Sequence, residues 1–166
     1  MDRLWAPWRK AYIRPENRAK KSRCLFCDLA RQTPGPENHV FLKSRLSFAV
    51  LNLYPYNNGH VMIVPRKHTD RLSVLSRAEK LDWLELYQKT LAALQKTIKP
   101  HGFNVGMNLG TAAGAGIPKH LHLHIVPRWN GDTNFMPVLS GDKVISESLG
   151  SVYRLLSKEL KRRTAK

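Results

Sequence analysis

The chain has 166 residues, 42% of them hydrophobic, and its 28 lysines and arginines outnumber 12 aspartates and glutamates, giving a formal net charge of +16. This length and composition are typical of one globular domain with its own core. No apolar run approaches the length of a bilayer span and the N-terminus lacks a signal-peptide core, so we expect a cytoplasmic protein with no membrane partner. The positive charge favours polyanionic partners.

Basic residues cluster at both ends of the chain. Residues 1–23 combine a basic run with Trp5 and Trp8, which we expect to pack on the domain as an anchoring arm. Residues 158–166 carry a second basic run. Charge runs at chain ends are usually solvated, so these segments are compatible with weak nucleic-acid binding but do not make it the expected function.

Cys24 and Cys27 form a C-x-x-C pair and are the two cysteines of the chain. This number excludes a disulfide framework and leaves three interpretations: a redox pair, half of a metal site, or two reduced thiols without a special function. The spacing is common in structural zinc sites, although the pair alone is weak evidence for one.

Short apolar runs predict the strands of the central region. After a loop over residues 32–38, which contains Pro34, Gly35 and Pro36, strands are predicted over residues 40–43, 46–51, 60–64 and 103–109. The short connections between the first three strands favour an antiparallel sheet.

Helical periodicity predicts one long helix over residues 76–99. Ser76 and Glu79 form a capping box at its start. The apolar residues of this helix are suited to core packing or to a dimer surface. They are Leu81, Leu84, Leu91, Leu94 and Ile98, and Trp83 and Leu86 widen the apolar face. With a closing helix over residues 146–161, the elements predict a single α+β domain with an antiparallel sheet, one long central helix and a C-terminal helix.

Histidine recurs with a period of two at His120, His122 and His124, and apolar residues fill the alternate positions. This pattern predicts a β-strand with one buried face, so three imidazole rings share the other face. Pro127 is expected to end the strand. A lone histidine is usually structural, but three aligned rings have a desolvation cost that favours a functional interpretation.

The residues around the histidines predict phosphate chemistry. Neutral imidazole is a competent nucleophile near pH 7, and the middle ring, His122, is best placed to attack a phosphorus atom. Just upstream, the sequence GTAAGAG has almost no side chains, so the backbone N–H groups of Gly114, Ala115 and Gly116 can approach a bound anion.

Two blocks carry a resemblance to a known family. The sequence HLHLHIV over residues 120–126 resembles the motif of the histidine triad family of nucleotide hydrolases and transferases, and residues 48–68 resemble that family's nucleotide-binding strand pair. The resemblance covers about residues 24–130. Residues 1–9 and 127–136 are similar to a bacterial branch that includes diadenosine tetraphosphate phosphorylases.

The resemblance implies roles for individual residues. His122 maps to the central histidine, which is the nucleophile of the family, and His124 to a residue that contacts the α-phosphate region. His60 is expected to support the histidine cluster, and Asn52 to bind the ribose hydroxyls.

One departure concerns the phosphate contacts. Better-known branches of the family have a glutamine followed by serine or threonine where this chain has Gly116 and Ile117. We therefore expect phosphate contacts from the backbone or from other side chains. The candidates are Asn108, Lys119, Arg128 and the loop over residues 129–134.

Zinc-containing relatives imply a metal site. Their two histidine ligands map to His68 and His120, which with Cys24 and Cys27 complete a structural zinc set. Relatives are commonly homodimers.

We expect three parts along the chain. They are a basic aromatic arm over residues 1–23, a histidine triad nucleotide-binding domain over 24–136 and a C-terminal helical extension with a basic tail over 137–166.

The expected function is nucleotidyl transfer on adenine dinucleoside polyphosphates, foremost diadenosine tetraphosphate, through a nucleotidyl-histidine intermediate. Inorganic phosphate as acceptor gives ADP and ATP, whereas water gives AMP and ATP. Two alternatives remain: a purine nucleoside phosphoramidase with the same nucleophile, and a nucleotide-binding or nucleic-acid-binding module with little turnover.

Overall fold

A computed structural model describes residues 24–133 and 144–164 of the chain. The N-terminal arm with Trp5 and Trp8 lies outside the described residues. So do residues 134–143 and the last two residues of the basic tail. The elements of the described residues are α1 (Leu25–Arg31), β1 (Val40–Lys43), β2 (Ser47–Leu51), β3 (Val61–Pro65), a 3-10 helix (Leu72–Val74), α2 (Arg77–Thr97), β4 (Gly102–Gly106), β5 (Leu123–Arg128) and α3 (Leu149–Thr164).

The five strands form one antiparallel sheet in the order β1-β2-β3-β5-β4. β5 lies between β3 and β4, where His124 pairs with Met62 on one side and with Gly106 on the other. The predicted α+β class and antiparallel sheet are therefore confirmed. Among the described residues no helix is long and apolar enough to cross a bilayer.

Alternation along β2 divides the core between the two faces of the sheet. Ala49 and Leu51 belong to the larger cluster, which the long helix α2 and the C-terminal helix α3 cover. Phe48 and Val50 belong to a second cluster with α1. Since successive strand residues point to opposite faces, α1 packs on the face opposite α2 and α3. Sequence patterning did not predict α1, because it is only seven residues long.

The long helix begins after Ser76 as predicted, but its buried face differs from the expected one. The residues of α2 that are buried are Trp83, Leu86, Thr90, Ala93 and Leu94. Leu81 and Leu84, which we placed on the apolar face, are 55% and 51% exposed. The indole Nε1 of Trp83 donates to the carbonyl oxygen of Ile63 at 3.0 Å, which fixes this rotation of the helix on the sheet. A homodimer through the exposed leucines stays a prediction.

The histidine strand is shorter at its start and longer at its end than expected. β5 begins at Leu123, so His120 and His122 precede the strand, and it continues through Pro127 to Arg128. By Pro127 the pairing with β3 has ended, because the last paired residues are Val61 and Ile125. A proline is tolerated where the strand has a neighbour on one side only. The expectation that Pro127 ends the strand was therefore wrong.

Replacing Ser76 with alanine should lower the free energy of unfolding by about 1 kcal/mol. The hydroxyl of Ser76 accepts from the backbone N–H of Glu79, and the Glu79 carboxylate accepts from the N–H of Ser76, so the substitution removes one half of the capping box. Urea unfolding measures the change. Ser73→Ala is the matched control, because Ser73 is exposed and caps no helix; equal midpoints for the two variants would contradict the role of the cap.

Candidate active site

A cavity of about 780 Å³ opens at the end of the sheet where His122 and His124 lie. Its wall includes α1, the residues before β1, the end of β2 and the loop over residues 110–117. Of the predicted nucleotide-binding residues, Asn52, Asn108, Gly114, Ala115 and Gly116 all line this cavity. The fold thus brings together residues that are far apart in the sequence.

The ring of His122 has a defined tautomer. Its Nδ1 lies 2.8 Å from the carbonyl oxygen of His120. A carbonyl only accepts hydrogen bonds, so Nδ1 carries the proton and donates it. The other nitrogen, Nε2, therefore has a free lone pair when the ring is neutral, which is the form required of a nucleophile.

His60 and His124 form a directed pair behind His122. The backbone N–H of Tyr56 donates to Nδ1 of His60 at 3.0 Å, so the proton of His60 resides on Nε2. This Nε2 donates to Nδ1 of His124 at 2.8 Å. The proton of His124 is consequently on its Nε2, which is buried and has no hydrogen-bond partner among the described residues. His124 offers an unused N–H donor beside His122, whose ring centroid is 4.9 Å away.

Burial keeps the histidine cluster neutral. Desolvation, with smaller contributions from His124 and His122, lowers the pKa of His60 to about 3. Desolvation and the neighbouring His122 lower the pKa of His124 to about 4. Burial also lowers the pKa of His122, although its hydrogen bond to the His120 carbonyl partly opposes this shift. The ring of His122, the predicted nucleophile, is therefore unprotonated at neutral pH.

Asn52 is held in place by two neighbours. Its Oδ1 accepts from the backbone N–H of Tyr54 at 3.0 Å, and its Nδ2 lies 3.3 Å from Nδ1 of His60. The amide orientation is thereby settled. Because a carbonyl oxygen has two lone pairs, Oδ1 can accept one further hydrogen bond from a ligand in the cavity.

The loop over residues 110–116 uses two of its three candidate anion-binding amides to close its own turns. The N–H of Gly114 donates to the carbonyl of Thr111, and that of Ala115 donates to the carbonyl of Gly110. Of the three amides predicted to bind an anion, only that of Gly116 has no hydrogen bond within the described residues. Gly114 has a φ of +81°, a conformation that favours glycine.

Two of the candidate phosphate-binding side chains do not line the cavity. Arg128 donates to Asp132 at 2.6 Å and 2.9 Å and to Asn104 at 2.6 Å, so its guanidinium fastens the loop after β5. Lys119 is exposed and lies outside the cavity wall. Of the side chains proposed for phosphate, Asn108 is the one that the described structure places in the cavity.

Cys24, Cys27, His68 and His120 converge on one point, where their ligand atoms all lie within 4.8 Å of one another. The Nε2 of His120 donates to the carbonyl oxygen of Pro65 at 2.8 Å. Its Nδ1 is therefore unprotonated in the neutral ring, and it lies 3.3 Å from the sulfur of Cys24. This hydrogen-bonded orientation is typical of histidine ligands to metals. Two sulfurs and two nitrogens are a donor set that fits zinc.

Two aromatic residues of the site were missed by sequence reasoning. Phe26, on α1, is 1% exposed and packs on the rings of both His120 and His122, with centroids 5.4 Å and 5.1 Å apart. Tyr56 lies over His60, with centroids 4.6 Å apart. Residue type alone does not distinguish such rings from ordinary core residues, and neither belongs to a periodic pattern.

Comparison with known proteins identifies the family. Residues 34–131 match the HIT domain, the domain of the histidine triad family. The chain belongs to this family. The HIT protein is 40% identical over 165 residues to an AP-4-A phosphorylase of Mycobacterium tuberculosis, covering 96% of this chain and 84% of the relative. It is 34% identical over 95 residues to an asymmetrical bis(5'-nucleosyl)-tetraphosphatase of Schizosaccharomyces pombe, covering 57% of this chain and 52% of the relative.

A solved structure shows the same fold. A zinc-bound histidine triad family protein from Mycobacterium smegmatis superposes with a TM-score of 0.66 at 24% sequence identity, covering 86% of this chain and 96% of the other. The family and the branch indicated by the sequence motifs are thus confirmed.

The free energy of unfolding should fall as the pH is lowered from 7.5 to 5. Histidines in the unfolded chain bind protons near their ordinary pKa of 6.5, whereas His60 and His124 stay neutral in the folded protein down to about 3 and about 4. The unfolded state therefore binds more protons in this window, and each of the two rings destabilises the fold by about 2 kcal/mol at pH 5. Denaturant titrations at several pH values measure the loss.

The control for this prediction is the exposed His101. His60→Gln should reduce the pH dependence by the share of one ring, whereas His101→Gln should leave it as in the parent protein. The same pH dependence in all three proteins would contradict the assignment of His60 as a buried neutral ring.

Proposed function

We propose that this HIT protein transfers a nucleotidyl group from a dinucleoside polyphosphate, foremost diadenosine tetraphosphate, to an acceptor. The observation that supports the proposal best is the unprotonated Nε2 of His122 beside the N–H donor of His124 at the cavity. The similarity to the Mycobacterium tuberculosis AP-4-A phosphorylase, which extends over 96% of this chain, supports this substrate class.

In the first step, Nε2 of His122 attacks the α-phosphorus of the bound substrate. A nitrogen–phosphorus bond forms, and the bond between the α-phosphorus and the bridging oxygen breaks, with its electron pair leaving on that oxygen. For diadenosine tetraphosphate the leaving group is ATP, and an adenylylated His122 remains. The hydrogen bond from Nδ1 to the His120 carbonyl stabilises the positive charge that the ring acquires.

Negative charge on the non-bridging oxygens requires fixed donors in the transition state. His124 supplies its Nε2–H, which the pair with His60 orients, and Gly116 supplies a free backbone N–H. Asn108 is a further donor in the cavity wall. Asn52 uses its remaining acceptor site on Oδ1 for a ribose hydroxyl.

In the second step an acceptor oxygen attacks the same phosphorus and releases His122. We propose inorganic phosphate as the acceptor, so that the products are ADP and ATP. The neutral histidines suit both phosphate and water as acceptor, and the phosphorylase relative supports phosphate.

Incubation with diadenosine tetraphosphate, followed by chromatography of the products, tests the reaction. With inorganic phosphate the parent protein should form ADP and ATP. His122→Gln should lower the rate by about 1,000-fold or more, because the nucleophile is lost. His101→Gln, which alters an exposed histidine, should keep the parental rate.

Two outcomes would contradict parts of this proposal. If AMP and ATP formed in the absence of phosphate, the reaction would be hydrolysis and not phosphorolysis. Cleavage of an adenosine phosphoramidate without cleavage of the tetraphosphate would retain His122 as nucleophile and reject the substrate.

We also propose that Cys24, Cys27, His68 and His120 hold a zinc ion. The support is the convergence of their ligand atoms within 4.8 Å and the orientation of His120 by the Pro65 carbonyl. Zinc bound by four protein ligands cross-links the structure and does not activate water. His120 would then hold the residues before β5 in place while His122 reacts.

Metal analysis of the purified protein should find about one zinc ion per chain. Cys27→Ser should lose most of this zinc and melt at a lower temperature, because one ligand and its cross-link are removed. His101→Gln is again the matched control and should retain the metal. Absence of zinc from the parent protein would reject the site.

A further inference from the structure

His39 has a backbone conformation that is uncommon for residues other than glycine. Its φ is +56°, in the left-handed region, although it directly precedes β1. Asn38 holds the preceding loop, since its Oδ1 accepts from the backbone N–H groups of Gly35 and Val40. Glycine adopts such a φ at the lowest cost, and backbone strain of this kind clusters at functional sites.

The side chain of His39 lines the cavity and is without a partner. Its Nδ1 is buried, and neither ring nitrogen has a hydrogen bond within the described residues. By contrast, His60, His120 and His122 each have a hydrogen bond that fixes a tautomer. A buried polar atom that lacks a partner costs free energy unless a ligand satisfies it.

The order of the strands locates His39 relative to the reacting phosphorus. The carbonyl of His39 accepts from the N–H of Leu51, which places it beside Asn52 at the end of β2. The backbone N–H of Asn52 donates in turn to the carbonyl of His60, which precedes β3, and His124 lies on β5. β1 and β5 are three strand spacings apart, or about 14 Å. His39 is therefore on the far side of Asn52 from the histidine cluster.

The wall of the cavity that His39 lines also carries apolar side chains. Leu25 on α1 and Leu53 after β2 line the cavity and are 49% and 53% exposed. Exposed apolar side chains at a cavity favour a ligand with apolar faces. A nucleobase has such faces and carries hydrogen-bond donors and acceptors along its edge.

We propose that His39 recognises the base of the bound nucleotide by a hydrogen bond from its imidazole ring to the base edge. The inference rests on the proposed function, in which His122 and His124 take the phosphate and Asn52 the ribose. The nucleotide then lies along the end of the sheet, with phosphate at β5, ribose at β2 and base at β1. Imidazole can donate or accept, and rotation about χ2 brings either ring nitrogen to the ligand.

Calorimetric titration with AMP and with ribose 5-phosphate tests this assignment, because the two ligands differ by the base. His39→Gly should weaken AMP binding by about 10-fold, since one hydrogen bond to the base is lost. Binding of ribose 5-phosphate should not change. His39→Asn, which also tolerates a positive φ, should lose less affinity for AMP because its amide can donate and accept.

A second variant separates the ring from the backbone. Lys99 also has a positive φ, of +45°, but it is exposed at the end of α2 and does not line the cavity. Lys99→Gly makes the same change of backbone freedom and should keep the parental affinity for AMP. Parental AMP affinity in His39→Gly would overturn the role of His39 and leave the proposed function intact. A parent protein that binds no AMP would overturn both.

Discussion

The hydrogen bond from Nδ1 of His122 to the carbonyl oxygen of His120 is the interaction on which the chemistry of the site depends. It places the proton of the ring on one nitrogen and leaves the other free to react. Such a bond between residues two apart needs a local departure from a regular strand, where carbonyls lie in the sheet and side chains stand perpendicular to it. The start of β5 at Leu123 provides that departure.

His120 joins two parts of the molecule that are otherwise separate. Its carbonyl orients the ring of His122, and its Nε2 bonds to the Pro65 carbonyl at the end of β3. Its Nδ1 faces two cysteines, one just before α1 and one in the first turn of that helix. Phe26 on α1 packs on the rings of both histidines. A displacement of α1 would therefore reach the ring of His122 through two routes, one through the backbone and one through ring packing.

The sequence alone was sufficient for the family, the strands and the long helix, because these depend on local patterns. Period-two alternation predicted that the histidines of residues 120–124 share one face of a strand, although only His124 lies within the strand. The tautomers could not be predicted, since they depend on where the folded backbone places groups such as the N–H of Tyr56 and the carbonyl of Pro65. The same is true of His39, whose cavity position follows from the packing of α1 against β1 and β2.

Among the described residues, none that lines the cavity is a lysine or an arginine. The donors there are neutral: the N–H of His124, the amide of Gly116 and the side chain of Asn108. Binding that is equally strong in the ground state and in the transition state does not raise the rate of the chemical step, so a donor contributes when it points to where negative charge develops. The N–H of His124 is buried, so it gains strength from the low dielectric as charge develops on a bound phosphoryl group. The same burial therefore lowers the pKa values of the histidines and strengthens the hydrogen bonds that they donate.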